Sequence, residues 1–346
     1  MKEIKANIPD VVFLGIGGIR MEAEGLISIA GLEDISVVGF WEVAKKYVFF
    51  KKLLDKSKDL IKTEKVDLFL PVDYPGFNLR LASYCKLLNI PVFYYIAPQL
   101  WAWGKNRAKH LAEVCNKLLV VFPFEKKYFS DFGIDTEFVG HPLLDYPEFS
   151  DTFSSQDERE KIIAFLPGSR LQEVKRHIPY IAQLSKELEL RLPEYRIAVA
   201  KSPNIPESIF NNIGTSNHIE LYNNSATLMK TAMAGVIKTG TSNLESCMLG
   251  LPFAMFYKTS FITYYLAKRM INLPYISIVN ILSNKFTIKE FIQSEANPKQ
   301  IIQYIFEVIA DKDKYKEIQN NFSIIRKELG DGGAAKRAAK LITNKL

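Results

Sequence analysis

The chain is poor in the residues that hold small secreted or metal-bound folds together. Its 346 residues include three cysteines, Cys85, Cys115 and Cys247, an odd and widely spaced set that implies neither a disulfide frame nor a metal knuckle. Four scattered histidines give no zinc pattern, so no metal is expected. No run approaches the roughly 18 consecutive apolar residues of a membrane span, and the amino-terminus lacks a signal-peptide pattern. A soluble or peripheral protein of the cytoplasm is therefore expected. An arginine-rich arm and an RNA-binding signature are both missing, which argues against nucleic acid as a partner. Internal repeats and low-complexity tracts are missing as well.

A composition of 48% hydrophobic and 24% charged residues is that of a globular protein, and the length suits two domains of roughly 150–180 residues. The net charge of +7 permits nucleic acid, an anionic membrane or a phosphorylated substrate as partner, though so mild an excess is more often a plain solvated basic surface.

Short aliphatic or β-branched runs alternate with helical stretches. Strands are expected at Val11–Leu14, Asp67–Val72, Val92–Ile96, Lys117–Phe122 and Glu137–Val139, and again at Lys161–Leu166, Tyr195–Ala200, His218–Leu221, Ala234–Lys238 and Pro252–Phe256. The clearest helix carries Leu171, Val174, Ile178, Ile181, Leu184 and Leu188, three or four residues apart. This alternation reads as α/β, with parallel sheets covered by helices on both faces. The polar stretch Glu148–Glu160 reads as a linker. The expected boundaries are 1–150, 151–330 and a terminal helix over 331–346, free to pack back on the first domain. Two doubly wound domains so joined would face each other across a cleft at the carboxyl ends of their sheets, where such folds bind ligands. The opening Met1–Asn7 resembles the tail of a helix ahead of the first strand, so a first βα unit is expected to be missing.

Two tryptophans one residue apart, Trp101 and Trp103, end an apolar run and precede Lys105, Arg107 and Lys109. Aromatics at a strand end suit a surface that grips a ligand, or else a loop stapled down by burying both indoles. Asp73 follows an apolar run and precedes a Tyr-Pro-Gly turn, so it is placed to take a proton from a substrate hydroxyl or merely to bind the turn backbone. Pro167-Gly168-Ser169-Arg170 joins a strand to the long helix. Gly168 permits close backbone approach, the helix start offers free N–H groups to a diphosphate, and Arg170 adds a charge-assisted contact. Ser169 with Gln172 also has capping-box spacing. Thr239-Gly240-Thr241-Ser242-Asn243-Leu244-Glu245 repeats the pattern, with Glu245 placed for a ribose diol or for a capping box with Ser242. Gly15-Ile16-Gly17-Gly18 lacks the full dinucleotide fingerprint and reads as a tight turn. The segment from Phe40 and Trp41 to Phe49, Phe50, Lys51 and Lys52 mixes aromatics with lysines. It suits an anionic membrane boundary or an acyl groove, or a core with snorkelling lysines.

Nine segments in order resemble the lipid-A-disaccharide synthase family, inverting glycosyltransferases of the GT-B fold, from about Val11 to about Gln293. They are Gly15–Gly25, Val37–Val43, Val72–Leu79, Pro98–Trp103, Phe122–Glu125, Gly140–Leu143, Leu166–Arg170, Gly240–Glu245 and Val279–Leu282. The resemblance implies two Rossmann-like domains and a reaction of UDP-2,3-diacylglucosamine with 2,3-diacylglucosamine 1-phosphate (lipid X). Its products would be a β-1,6 disaccharide and UDP, formed at the inner face of the cytoplasmic membrane with no cofactor. By that resemblance Asp73 is the base, and Gly168, Ser169, Arg170, Gly240, Thr241, Glu245 and Asn280 hold the UDP-sugar. Asn78, Trp101, Trp103, Trp41 and Phe49 fall on the acceptor and lipid side, and a homo-oligomer is left open. Some features depart from the family. Its opening strand and Gly/Ser/Asp-rich loop are not seen, Gly76 stands where a second acid is frequent, and the Gly-Arg signature is not kept around Ser283-Asn284-Lys285. The alternatives are another UDP-sugar enzyme of the same fold, or a catalytically impaired protein that binds UDP-sugar or lipid.

Overall fold

The alternation of apolar runs and amphipathic stretches becomes strand followed by helix in two compact units, Met1–Asp145 with Asp331–Leu346, and Tyr146–Gly330. The structure is a computed structural model that describes residues 1–31, 47–213, 219–260, 264–265, 268–269 and 273–346. Trp41 and Phe40 lie outside the described residues. Among the described residues, no helix is long and apolar enough to cross a membrane.

In the first unit, α1 (Lys2–Asn7) precedes β1 (Phe13–Gly17), and α2 (Ile19–Ala23) links β1 to its parallel neighbour β2 (Leu26–Gly31). Gly15 and Gly17 thus belong to a strand rather than to the expected turn. The helices α3 (Tyr47–Thr63) and α4 (Pro75–Leu87) follow, then β3 (Phe93–Tyr95), α5 (Leu100–Trp103), α6 (Lys105–Val114), β4 (Lys117–Val120), α7 (Pro123–Ser130) and β5 (Thr136–Phe138). The strands β3, β4 and β5 form a parallel sheet in that order. The run Asp67–Val72 is not a full strand, because it pairs with this sheet only through bridges at Phe69 and Val72. Pro71 has no N–H to donate, which breaks the ladder between them. The core is built from Leu81, Val92, Tyr94, Leu111, Leu118, Val120 and Phe129. The carboxy-terminal helix (Ala334–Thr343) closes a second cluster, in which Ala338, Ala339 and Ile342 pack with Ile4, Phe93, Leu119 and Val139.

The second unit contains β6 (Glu160–Leu166), α8 (Leu171–Arg191), β7 (Arg196–Ala200), β8 (Ile219–Tyr222), α9 (Ser225–Thr231), β9 (Ala232–Lys238), α10 (Thr241–Met248), β10 (Phe253–Tyr257), α11 (Ile278–Ser283), β11 (Glu290–Ile292), α12 (Pro298–Ala310) and α13 (Lys312–Glu328). All pairings in its sheet are parallel, in the order β11-β10-β9-β6-β7-β8. Counted within the unit this is 3-2-1-4-5-6, the doubly wound order of a Rossmann fold, whose direction reverses between β6 and β9. The buried runs Ile162–Leu166 and Ala232–Ile237 are continuous because a central parallel strand is covered on both faces. The stretch read as a linker belongs to this unit and is anchored in it. The buried Arg159 guanidinium donates to the carbonyls of Met229, Ala232, Leu249 and Gly250 at 2.7–3.0 Å.

Candidate functional site

The order reversal of the second sheet places two glycine turns side by side. Leu166 at the end of β6 is registered with Ile237 in β9, so the turn 167–170 and the turn 239–240 leave adjacent strand ends. Gly168 has φ +113 and Gly240 φ +145, values that an L side chain rarely adopts. Each turn opens a helix whose first residue has no side-chain cap: Arg170 is the N-cap of α8 and Gly240 that of α10. Ser169 and Ser242 thus do not occupy the N-cap positions that the two expected capping boxes would need. Both helix starts lack a side-chain cap, and uncapped first-turn N–H groups are the kind of helix end that suits an anion. His177 is buried in α8 and braces the first turn, its Nδ1 lying 2.7 Å from the Pro167 carbonyl.

Charged groups gather around this pair of turns. Glu173, in the first turn of α8, receives Arg170 at 3.1 Å and Lys238, the last residue of β9, at 3.0 Å. Sequence reasoning missed both Glu173 and Lys238. The available signals were a lysine closing an apolar strand before Thr-Gly and an acid three residues after Arg170. Thr241, like Ser169, is exposed at its turn. Glu245, on the second turn of α10, is half-buried, and loss of solvent pushes its carboxyl above the usual range. It makes no side-chain hydrogen bond or ion pair with the described residues. Asn280 requires a correction. It is fully buried in α11, its amide nitrogen donates to Ile288 O and Glu290 Oε1, and its oxygen accepts from Thr287 N and Ile288 N, all at 2.8–3.0 Å. With its donors and acceptor fully engaged, Asn280 braces the loop into β11 and has nothing left for a sugar nucleotide.

In the first unit, Asp73 sits at the carboxyl end of the extended segment beside β3, its N–H bonded to Ile96 O at 3.3 Å. Asp73, Tyr74 and Ile96 have φ values of +46, +47 and +58. Three non-glycine residues in the left-handed region, one of them β-branched, mark a strained loop that its surroundings must hold. The hold is visible. The Asp73 carbonyl accepts from the Tyr94 hydroxyl at 2.5 Å and from the Asn78 amide at 2.7 Å, and that amide also reaches Val72 O at 3.3 Å. Asn78 thus positions the loop, and Tyr94, which the sequence did not single out, does the same. The Asp73 side chain stays at the surface and has no ion-pair partner among the described residues. Partial desolvation raises its pKa, moderated by the N–H of Tyr74, which makes the carboxylate a stronger base.

Trp101 is a staple and not an open platform. Its indole N–H donates to Glu125 Oε1 at 3.0 Å, its ring meets Phe124 edge-on at 5.1 Å, and it packs against the core. Trp103 closes the short α5. Phe49 lies in the first turn of α3, beside Tyr47 and Val48, which are 61% and 63% exposed.

The two units are Rossmann-type α/β units, and the fold is that of GT-B enzymes. A crystal structure of the glycotransferase of kitacinnamycin matches with TM-score 0.63 and 14% identity, covering 99% of this chain and 94% of that one. UDP-GlcNAc 2-epimerase from Neisseria meningitidis, solved with UDP-GlcNAc, matches with TM-score 0.60 and 14% identity over 96% of this chain and 99% of that one. The sequence model of the Lipid-A-disaccharide synthetase family matches residues 1–344. Lipid-A-disaccharide synthase of Persephonella marina is 33% identical over 97% of this chain and 92% of its own length. Lipid-A-disaccharide synthase 1 of Legionella pneumophila subsp. pneumophila is 35% identical over 96% and 90%. The chain belongs to the lipid-A-disaccharide synthase family, glycosyltransferases of lipid A biosynthesis.

Proposed function

We propose that this chain transfers 2,3-diacylglucosamine from UDP-2,3-diacylglucosamine to the primary hydroxyl of 2,3-diacylglucosamine 1-phosphate. The acceptor oxygen bonds to the anomeric carbon from the face opposite the diphosphate, the bond to UDP breaks, and the β-1,6 disaccharide 1-phosphate and UDP are the products. The acceptor proton goes to Asp73, a contribution worth roughly 10²–10⁴-fold for a positioned base. The electron pair leaves with UDP, whose developing charge the turns at Gly168, Ser169, Arg170, Gly240 and Thr241 stabilise. Glu245 accepts hydrogen bonds from the ribose diol.

One observation carries the reading: two uncapped glycine turns at the order reversal of β6 and β9, in a chain matched by its family from residue 1 to residue 344. The acyl chains of both substrates require a membrane surface. The exposed aromatic start of α3, with Lys51 and Lys52 exposed behind it, supports peripheral attachment at the inner face of the cytoplasmic membrane. Incubation of the purified chain with both lipid precursors should give the disaccharide 1-phosphate by mass spectrometry. Asp73→Asn should lower the rate at least roughly a hundredfold while leaving UDP affinity within about twofold. No disaccharide from the unaltered chain, or full turnover by the variant, would remove the corresponding part of the assignment.

A further inference from the structure

Lys238 and Glu173 join the two glycine turns of the second unit into one charged cluster. Glu173 Oε1 is shared by Lys238 Nζ at 3.0 Å and Arg170 Nη1 at 3.1 Å. Its other oxygen stands 2.7 Å from where a Cβ on Gly168 would lie, so the carboxylate fills the space that this glycine leaves open. The Lys238 ammonium lies 3.9 Å from the corresponding point at Gly240 and so borders the second turn. Lys238 and Glu173 expose only 13% and 18% of their side chains, whereas Arg170 exposes 56%. A lysine this enclosed is held in place before any ligand arrives, and a partly buried ion pair is weak as a device for stability alone.

We propose that Lys238 is a further donor to the diphosphate of the sugar nucleotide, and that Glu173 is an internal anion which the diphosphate displaces. The inference rests on the UDP-sugar reading of this site and extends it to two residues. Charge decides the exchange. Two cations face a single carboxylate in the free protein, and a diphosphate brings more negative charge and more acceptor oxygens to the same cations and to the open helix starts. Glu173 therefore keeps Lys238 and Arg170 oriented and keeps Gly168 screened until a stronger anion enters.

Calorimetry with UDP and, separately, with uridine tests this. Lys238→Met should weaken UDP binding roughly tenfold or more, the loss expected for a hydrogen bond to a charged group, and Lys238→Arg should restore it to within about threefold. Glu173→Gln should tighten UDP binding by roughly threefold to tenfold, the scale of a partly screened charge interaction, and that gain should shrink when combined with Lys238→Met, where only Arg170 is left to release. Uridine, which lacks phosphate, should bind all variants alike and so report an intact site. UDP affinity unchanged in Lys238→Met, or weakened in Glu173→Gln, overturns the proposal while leaving the nucleotide reading in place. If the unaltered chain binds no UDP, the nucleotide reading falls and this proposal falls with it.

Discussion

Glu125 is a carboxyl group sealed into the first unit, 1% exposed at the start of α7. Burial lifts its pKa from 4.5 to about 7, although the Trp101 indole and backbone N–H groups, among them Phe122, bond to it and oppose the rise. A raised folded-state pKa means the protonated form is favoured in the native protein. The stability it brings is complete below about 4.5 and is lost as pH climbs through about 7. Denaturant unfolding of the native chain and of Glu125→Gln should therefore diverge with pH. The variant should gain up to about 3 kcal/mol on the native chain between about pH 5 and about pH 8. A difference that stays constant across that range would show that Glu125 ionises freely. At this scale the sequence was legible in part. Asp73, Gly168 and Gly240 stand out because each ends an apolar strand-like run and opens a turn, where turn chemistry and ligand binding call for the same residue types. The partners of Trp101, Asn78 and Asn280, namely Glu125, the Asp73 carbonyl, and the 287–288 backbone with the Glu290 carboxylate, could not be read in advance because tertiary contacts that no spacing reveals set them.

The carboxy-terminal helix shows how an element can depend on a residue far away in the chain. Its N-cap is Gly333, which has no side chain to satisfy the first N–H groups. Asp145 takes that place: Oδ1 accepts from Ala334 N at 2.9 Å and Oδ2 from Ala335 N at 2.8 Å, and its charge favours the helix start. Replacing Asp145 with Ala should cost about 1–2 kcal/mol, seen as a lower denaturant midpoint with an unchanged slope. A midpoint equal to that of the native chain would mean that water caps the helix equally well. The strands were readable where β-branched and aliphatic residues run together, as in β4, β6, β9 and β10. They were not readable in β2, whose Leu-Ile-Ser-Ile-Ala-Gly sequence has too few β-branched residues, or in β11, which at three residues is too short for any period. In α8 the heptad-like pattern is correct from Val174 to Leu188, and Leu171 is the exception because its turn opens to solvent at 39% exposure.

On the scale of the whole molecule, the sequence announces two α/β lobes by length and alternation, but periodicity carries no information on which strands become neighbours. The 3-2-1-4-5-6 order, and with it the meeting of Gly168 and Gly240, becomes visible only when β6 and β9 pair across the 65 residues that separate Leu166 of one strand end from the start of the other. The chain's division is equally hidden, since Arg159 ties the polar stretch after Tyr146 to carbonyls far downstream. Because Met1–Asp145 with Asp331–Leu346 and Tyr146–Gly330 are separate compact units, a ligand held by one should stabilise that one. UDP at a hundred times its dissociation constant adds about 2.7 kcal/mol to whatever binds it. Hydrogen exchange with and without UDP should therefore slow by about a hundredfold in the deeply protected amides of β6 and β9, while the amides of β4 in the first unit keep their rates. Equal slowing in β4 would show that the two units open as one cooperative body. No slowing in β6 and β9 would show that the nucleotide is not held at their ends.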